Sequence, residues 1–272
     1  MTPHPLCLAH LTLIELAPPR VVEVAADAGF ELVSLRLAPA SDTEHQHPMI
    51  GGTPMMRETL ARMRDRAVRV HDVELIRLTA STELAALERL LGAAAELGAQ
   101  HVLVAGDDDH EDRLAQNFAA LCALGMRYGL KMGLEFMPWR GIRDIASARR
   151  VLDSAGGGGI IVDAIHLDRS GGTPADVAAI LPAQWAYFQI CDAPAERPRD
   201  SAELLFQARQ ARLPPGQGGL DLVGMLRAIP EGSVVSIETP LHGRPGLLPP
   251  VERARMLHAV TMELLAKAAC HD

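Results

Sequence analysis

Two kinds of segment alternate along the whole chain, and that alternation constrains its fold more than any other feature. Short β-rich runs lie near residues 6–11, 31–37, 71–78, 101–105, 131–138, 159–163, 184–191 and 233–238. Between them come stretches whose apolar residues recur at helical spacing, such as PPRVVEVAADAGF, PMMRETLARMRDRAV, STELAALERLLGAAAELGA and EDRLAQNFAALCALGMRYGL. Gly29, Gly98 and Gly129 follow helical stretches, where a left-handed C-terminal cap is needed. Ser81 or Thr82 is placed to start the third helix, and Ser147 falls inside the fifth. Eight alternations predict an α/β chain folded as a (β/α)8 TIM barrel, a single domain over residues 1–272. An open doubly wound sheet is the alternative, because alternation alone does not require closure.

Four of the later apolar runs carry a polar interruption: Glu135 in MGLEFMPW, Asp163 in GIIVDAIH, Gln189 in WAYFQICD and Glu238 in SVVSIETP. A carboxylate inside a buried strand is costly unless a cation neutralises it. In a barrel these positions fall near the carboxyl ends of strands five to eight, where active groups collect. Neighbouring strands run about 4.8 Å apart, so the four side chains can converge on one ion. Three carboxylates and an amide oxygen form a hard donor set that favours Mn²⁺ or Mg²⁺, with Zn²⁺ or Co²⁺ as alternatives.

Around this set, His166 in VDAIHLDRSGG follows Asp163 by three residues and can reach a substrate as acid, base or oxyanion donor. Arg169 in the same loop can bind an anionic or hydroxyl group, and Asp168 reads as a loop cap. His10 ends strand one and can line the pocket, as can Trp139 and Arg140 after strand five. Glu74 and Arg36 interrupt their strands and read as an ion pair in the barrel floor or as groups at its mouth. The long seventh loop holds Arg197, Arg199 and Arg212, one of which can clamp an anion, and a short helix near 200–210. Asp221 is expected to cap a helix. GGGG at 156–159 runs into a strand and lacks the helix N-terminus of a phosphate loop, whereas PPGQGGLDL can offer backbone N–H groups to a substrate. Cys191 has no evident base beside it.

Composition excludes several classes. A net charge of −8, a pI near 5.8 and 3% aromatic residues offer neither a basic face nor stacking platforms for nucleic acid. No apolar run reaches membrane-spanning length, and MTPHPLCLAH lacks the pattern of a signal peptide, so a cytoplasmic protein is expected. Cys7, Cys122, Cys191 and Cys270 form no CxxC pair and read as reduced thiols. The sequence leaves a homo-oligomer open.

Together, GLEFMP, VDAIHLDRSGG, FQICDAP, PPGQGGLDL and SIETP resemble motifs of the xylose-isomerase-like TIM-barrel superfamily, the sugar phosphate isomerase/epimerase family, over nearly the whole chain. The resemblance implies Glu135, Asp163, Gln189 and Glu238 as metal ligands. It also implies Glu135 and Glu238 as proton carriers and His166 as a substrate contact. Gln189 departs from the histidine of many sugar epimerases and matches some dehydratase members. The expected activity is therefore isomerisation or epimerisation of a small sugar or keto-polyol, by proton abstraction next to a carbonyl through a metal-bound enediolate. A dehydratase acting on dehydroshikimate or an inosose is the alternative, and a non-catalytic sugar-binding barrel a third reading.

Overall fold

The computed structural model describes residues 4–40, 44–243 and 246–270. The strands are β1 (Leu6–Leu8), β2 (Leu32–Arg36), β3 (Arg69–Leu78), β4 (His101–Gly106), β5 (Lys131–Glu135), β6 (Gly159–Asp163), β7 (Trp185–Ile190) and β8 (Val235–Ile237). All pair in parallel in sequence order, and β8 returns to β1, so the sheet closes into an eight-stranded barrel. The helices are α1 (Pro18–Ala28), α2 (Pro54–Arg66), α3 (Leu84–Glu96), α4 (Glu111–Met126) and α5 (Ile145–Ala155). They continue with α6 (Ala164–Arg169), α7 (Pro174–Ala178), α8 (Ser201–Gln210), α9 (Leu222–Ala228) and α10 (Pro250–Ala269). Closure settles the choice between barrel and open sheet. No described helix is long and apolar enough to cross a membrane.

Local chemistry explains most boundaries. Gly29 ends α1 in the left-handed region at φ 92°. Pro54 opens α2 behind Thr53, whose hydroxyl accepts from the Met56 N–H at 3.1 Å. Asp144 and Ser147 form a reciprocal capping box at the start of α5. Asp221 caps α9 by accepting from the Gly224 N–H at 2.9 Å. The third helix starts differently from expectation. Glu83 is the residue before α3, without a side-chain cap, while the Thr82 hydroxyl accepts from the Thr79 N–H at 2.8 Å and closes the preceding turn instead.

The first strand is also shorter than its apolar run. It stops at Leu8, and His10–Leu13 wind into a 3-10 turn. The glycine run before β6 is required by space: Gly158 sits at φ 93°, and a Cβ there would lie 2.5 Å from the Phe118 ring.

The main core lies between the barrel and its helices. A smaller apolar cluster of Leu75, Leu103, Ala105, Ile161 and Tyr187 fills the barrel interior. Asp72 is fully buried beside it, accepting from the Ser34 hydroxyl at 2.5 Å and the Tyr187 hydroxyl at 3.0 Å. This packed interior forces the polar chemistry upward, to the carboxyl ends of the strands.

Candidate functional site

Glu135 ends β5 and Asp163 ends β6; Gln189 is the penultimate residue of β7, and Glu238 follows β8 directly. Asp163 and Gln189 are ladder partners, and Gln189 pairs with Ser236 on β8. Strand register therefore brings the four positions to one mouth. Their side chains are all buried, between 0 and 4% exposed. Gln189 donates from Nε2 to Glu238 Oε1 at 3.0 Å. Its own Oε1 is buried with no partner. Asp163 Oδ1 accepts from the Ile165 N–H at 2.8 Å, capping α6, which sets His166 over the site. One oxygen or nitrogen each from Glu135, Asp163 and His166 lie within 4.8 Å of one another, near enough to share an ion.

Of the seventh loop's Arg197, Arg199 and Arg212, it is Arg212 that enters the site. It is buried at the centre of the acids, with one guanidinium nitrogen 2.5 Å from Asp163 and the other 2.9 Å from Glu238. It also donates to the Glu238 carbonyl at 2.9 Å and to Cys191 Sγ at 3.4 Å. Its position comes from the seventh loop folding back: Leu213 and Asp192 exchange backbone hydrogen bonds, and the Arg212 N–H reaches the Pro240 carbonyl. No local pattern in QARQARLPP announces that fold-back.

The electrostatics follow from burial and chiefly from Arg212, the guanidinium in direct contact with Asp163 and Glu238. Burial pushes Glu135 well above the ordinary carboxylate range, and the neighbouring charges of Glu238 and Asp163 push the same way. Burial likewise lifts Glu238 to about 8; Arg212 opposes this, while Glu74 and Asp163 add to it. Asp163 is also buried, yet Arg212, His166 and the α6 N–H groups outweigh that and hold it below the usual range. Burial lowers His166 to about 4, against the pull of Asp163, so the ring is neutral. Its Nδ1 has no partner, and Nε2 stands 3.7 Å from Glu135. The donor set fits a divalent cation, since one guanidinium cannot keep three buried carboxylates ionised and the Gln189 oxygen lacks a donor.

These groups open into a cavity of about 320 Å³ lined by Glu135, Glu238, His166, Trp139, Arg36 and Arg212, among others. Trp139 stands edge-on to His166 with ring centroids 5.0 Å apart. Two expected pocket residues lie elsewhere. His10 is fully buried below the mouth: Nδ1 accepts from the Arg36 N–H at 2.9 Å and Nε2 faces the Leu16 carbonyl at 3.0 Å. Leu11 of the same 3-10 turn lines the cavity, but His10 does not. Arg169 is also buried, tied to Asp168, to Gln207 at 3.1 Å and to the Pro194 carbonyl at 2.6 Å, so it braces the loop.

Arg36 and Glu74 do pair, at 2.7 Å, but at the mouth, where Glu44 joins them 2.9 Å from Arg36. Arg197 is held by the Asp168 carbonyl, and Arg199 is exposed beside Glu196. The N–H groups of Gly216 to Leu220 in PPGQGGLDL are already occupied. Those of Gly216, Gly218 and Leu220 donate to Asp192 at 3.0, 2.8 and 3.1 Å. A hollow of about 580 Å³ at the amino ends of the strands, near His101 and Lys131, has no carboxylate in its lining.

The comparisons agree with this geometry. The sequence matches the family described as xylose isomerase-like TIM barrel over residues 22–260. The chain belongs to this family. No curated protein matches the sequence. Among solved structures, the IolI protein with a bound zinc atom is 16% identical, with a TM-score of 0.75 over 98% of this chain and 100% of that one. A D-allulose 3-epimerase from Methylomonas sp. is 14% identical, with a TM-score of 0.73 over 96% and 98%. The probable 3-DHS dehydratase AsbF from Bacillus anthracis is 12% identical, with a TM-score of 0.75 over 94% and 98%. At these identities the likeness speaks for the fold of this xylose isomerase-like barrel.

Proposed function

We propose that this xylose isomerase-like barrel is a divalent-metal-dependent isomerase or epimerase of a small sugar or keto-polyol. The observation that carries the reading is the pair Glu135 and Glu238. Both line one cavity, and both are raised toward protonation by burial. Carboxyl groups raised out of their ordinary range can exchange protons near neutral pH, as proton removal and return next to a carbonyl require.

Glu135, Asp163, Gln189 and Glu238 would hold the metal, with His166 at the edge of the same cluster. When bound, the ion supplies positive charge that polarises the substrate carbonyl. One glutamate removes the proton from the carbon beside the carbonyl, and the other delivers a proton to the neighbouring carbon or the opposite face. Neutral His166 donates an N–H to the oxygen on which charge develops. Arg212 keeps Asp163 ionised throughout and closes the floor to water.

In D₂O, protein reconstituted with Mn²⁺ or Mg²⁺ is expected to place deuterium next to the carbonyl of a ketose. Glu135→Gln and Glu238→Gln should each lower that rate by about 10²–10⁴-fold. Absence of exchange across a broad ketose panel would sink the reading.

The likeness to the 3-DHS dehydratase, with glutamine at 189, supports a second reading as a dehydratase of a polyhydroxy ketone. There the same proton removal is followed by loss of a β-hydroxyl as water. A new ultraviolet absorbance with dehydroshikimate or an inosose, without deuterium in recovered substrate, would select it.

A further inference from the structure

Above the acidic centre, the cavity wall carries more positive charge than its own acids match. Arg77 at the end of β3 and Arg140 after β5 share the single carboxylate of Asp107. Arg209 on α8 lines the same cavity and has no acidic partner among the described residues. With Arg36, which pairs with both Glu74 and Glu44, four guanidinium groups stand against three carboxylates, so the wall keeps one unmatched positive charge among the described residues, at Arg209.

Hydrogen bonding tells the same story independently. Arg140 Nε and Trp139 Nε1 are buried with no acceptor, and both residues line this cavity. Leaving a buried donor unanswered is costly, so two on one wall beside a charge surplus suit an occupant that brings acceptors. Partial burial, followed by the charges of Arg140, Arg77 and Arg36, holds the Arg209 guanidinium below its ordinary range, with Glu44 pulling the other way. An arriving anion relieves that repulsion. At about 320 Å³ the cavity is at the small end of ligand sites, which suits one short-chain metabolite.

We infer that the substrate carries a carboxylate or phosphate at the end remote from its reacting carbonyl, and that Arg77, Arg140 and Arg209 receive this anion. The inference uses the proposed reaction only to say which end of the substrate faces the glutamates. It separates this chain's substrate from a neutral ketose, which offers the arginine wall hydroxyl groups alone. Arg77 and Arg140 reach the cavity from the ends of β3 and β5 and Arg209 from α8 after β7, so the anion is received between these two walls.

The test is equilibrium binding by calorimetry on metal-reconstituted protein, with three ligands of equal chain length: a neutral ketose, its terminal phosphate ester and the matching keto-aldonate. At least one anionic ligand should bind about tenfold tighter than the neutral ketose, and the stronger of the two names the anion. In Arg209→Gln the affinity ratio should fall toward one, with Arg209→Lys intermediate, and added salt should erode the preference in wild type. Arg209 lies on the exposed side of α8, so neither substitution disturbs the core.

Equal affinity for all three ligands, or no binding of either anionic ligand at millimolar concentration, would overturn the inference. So would a preference that Arg209→Gln leaves unchanged. The two readings fail separately. An Arg209-dependent anion preference without deuterium exchange keeps the arginine wall and removes the reaction. Exchange confined to neutral ketoses keeps the reaction and removes the wall.

Discussion

At the scale of single residues, burial inside the barrel shifts the proton affinity of a carboxylate even where hydrogen bonds reach it. Asp72 tests this below the candidate site. Burial, with a further push from Glu74, raises it to about 7 against an ordinary value of 3.8, despite hydrogen bonds from Ser34 and Tyr187. The folded state therefore holds this proton more tightly than the unfolded chain. Its contribution to stability is fully present below about pH 4 and is lost as pH rises toward 7, a swing of about 4 kcal/mol. Asp72→Asn keeps an oxygen for both hydroxyl donors and cannot ionise. It should raise the melting temperature at pH 8 and leave it nearly unchanged at pH 4. Equal melting shifts at both values would show that Asp72 titrates normally.

At the scale of elements, the loop between β7 and β8 deserves its length. It delivers Arg212 to the floor of the site and Arg209 to the wall, and the segment just after Arg212 is held by Asp192. That side chain collects the N–H groups of Gly216, Gly218 and Leu220 and the N–H of Ala193. Asp192→Ala should cost about 3 kcal/mol, because several N–H groups lose one charged acceptor together. Limited proteolysis should then cut within residues 213–220 well before the barrel unfolds. Intact resistance to cleavage would mean that the Leu213 pairing alone holds the loop.

At the scale of the whole molecule, the barrel gathers three acids and one amide from the ends of four strands, and its stability should report what they bind. Removing divalent ions by chelation should lower the melting temperature. Mn²⁺, Mg²⁺, Zn²⁺ or Co²⁺ should raise it, by about 2.7 kcal/mol of stability at a hundredfold excess over Kd. Arg212→Met leaves Asp163 and Glu238 without their cation and should cost the metal-free protein about 3–5 kcal/mol. Metal should rescue this variant by more than it stabilises the wild type. A protein whose melting ignores all four ions, in both backgrounds, would not be a metalloenzyme.

Much of this was written in the chain. The alternation of β-rich and helical runs, with glycine after the helices, carried the strand and helix order, because period and capping are local properties. Glu135, Asp163, Gln189 and Glu238 were legible because a polar group inside an apolar run is locally anomalous, and the parallel register then places the four side by side. His10 and Arg169 looked equally suitable as letters but are used by the backbone and by loop bracing, which no local pattern records. Closure of the barrel was decided only by the pairing of β8 with β1. The choice of Arg212 among three loop arginines, and the convergence of Arg77, Arg140 and Arg209 on one wall, were also decided only in three dimensions. Those residues lie far apart in sequence, and the loop geometry that brings them together comes from long-range contacts that no window of the chain contains.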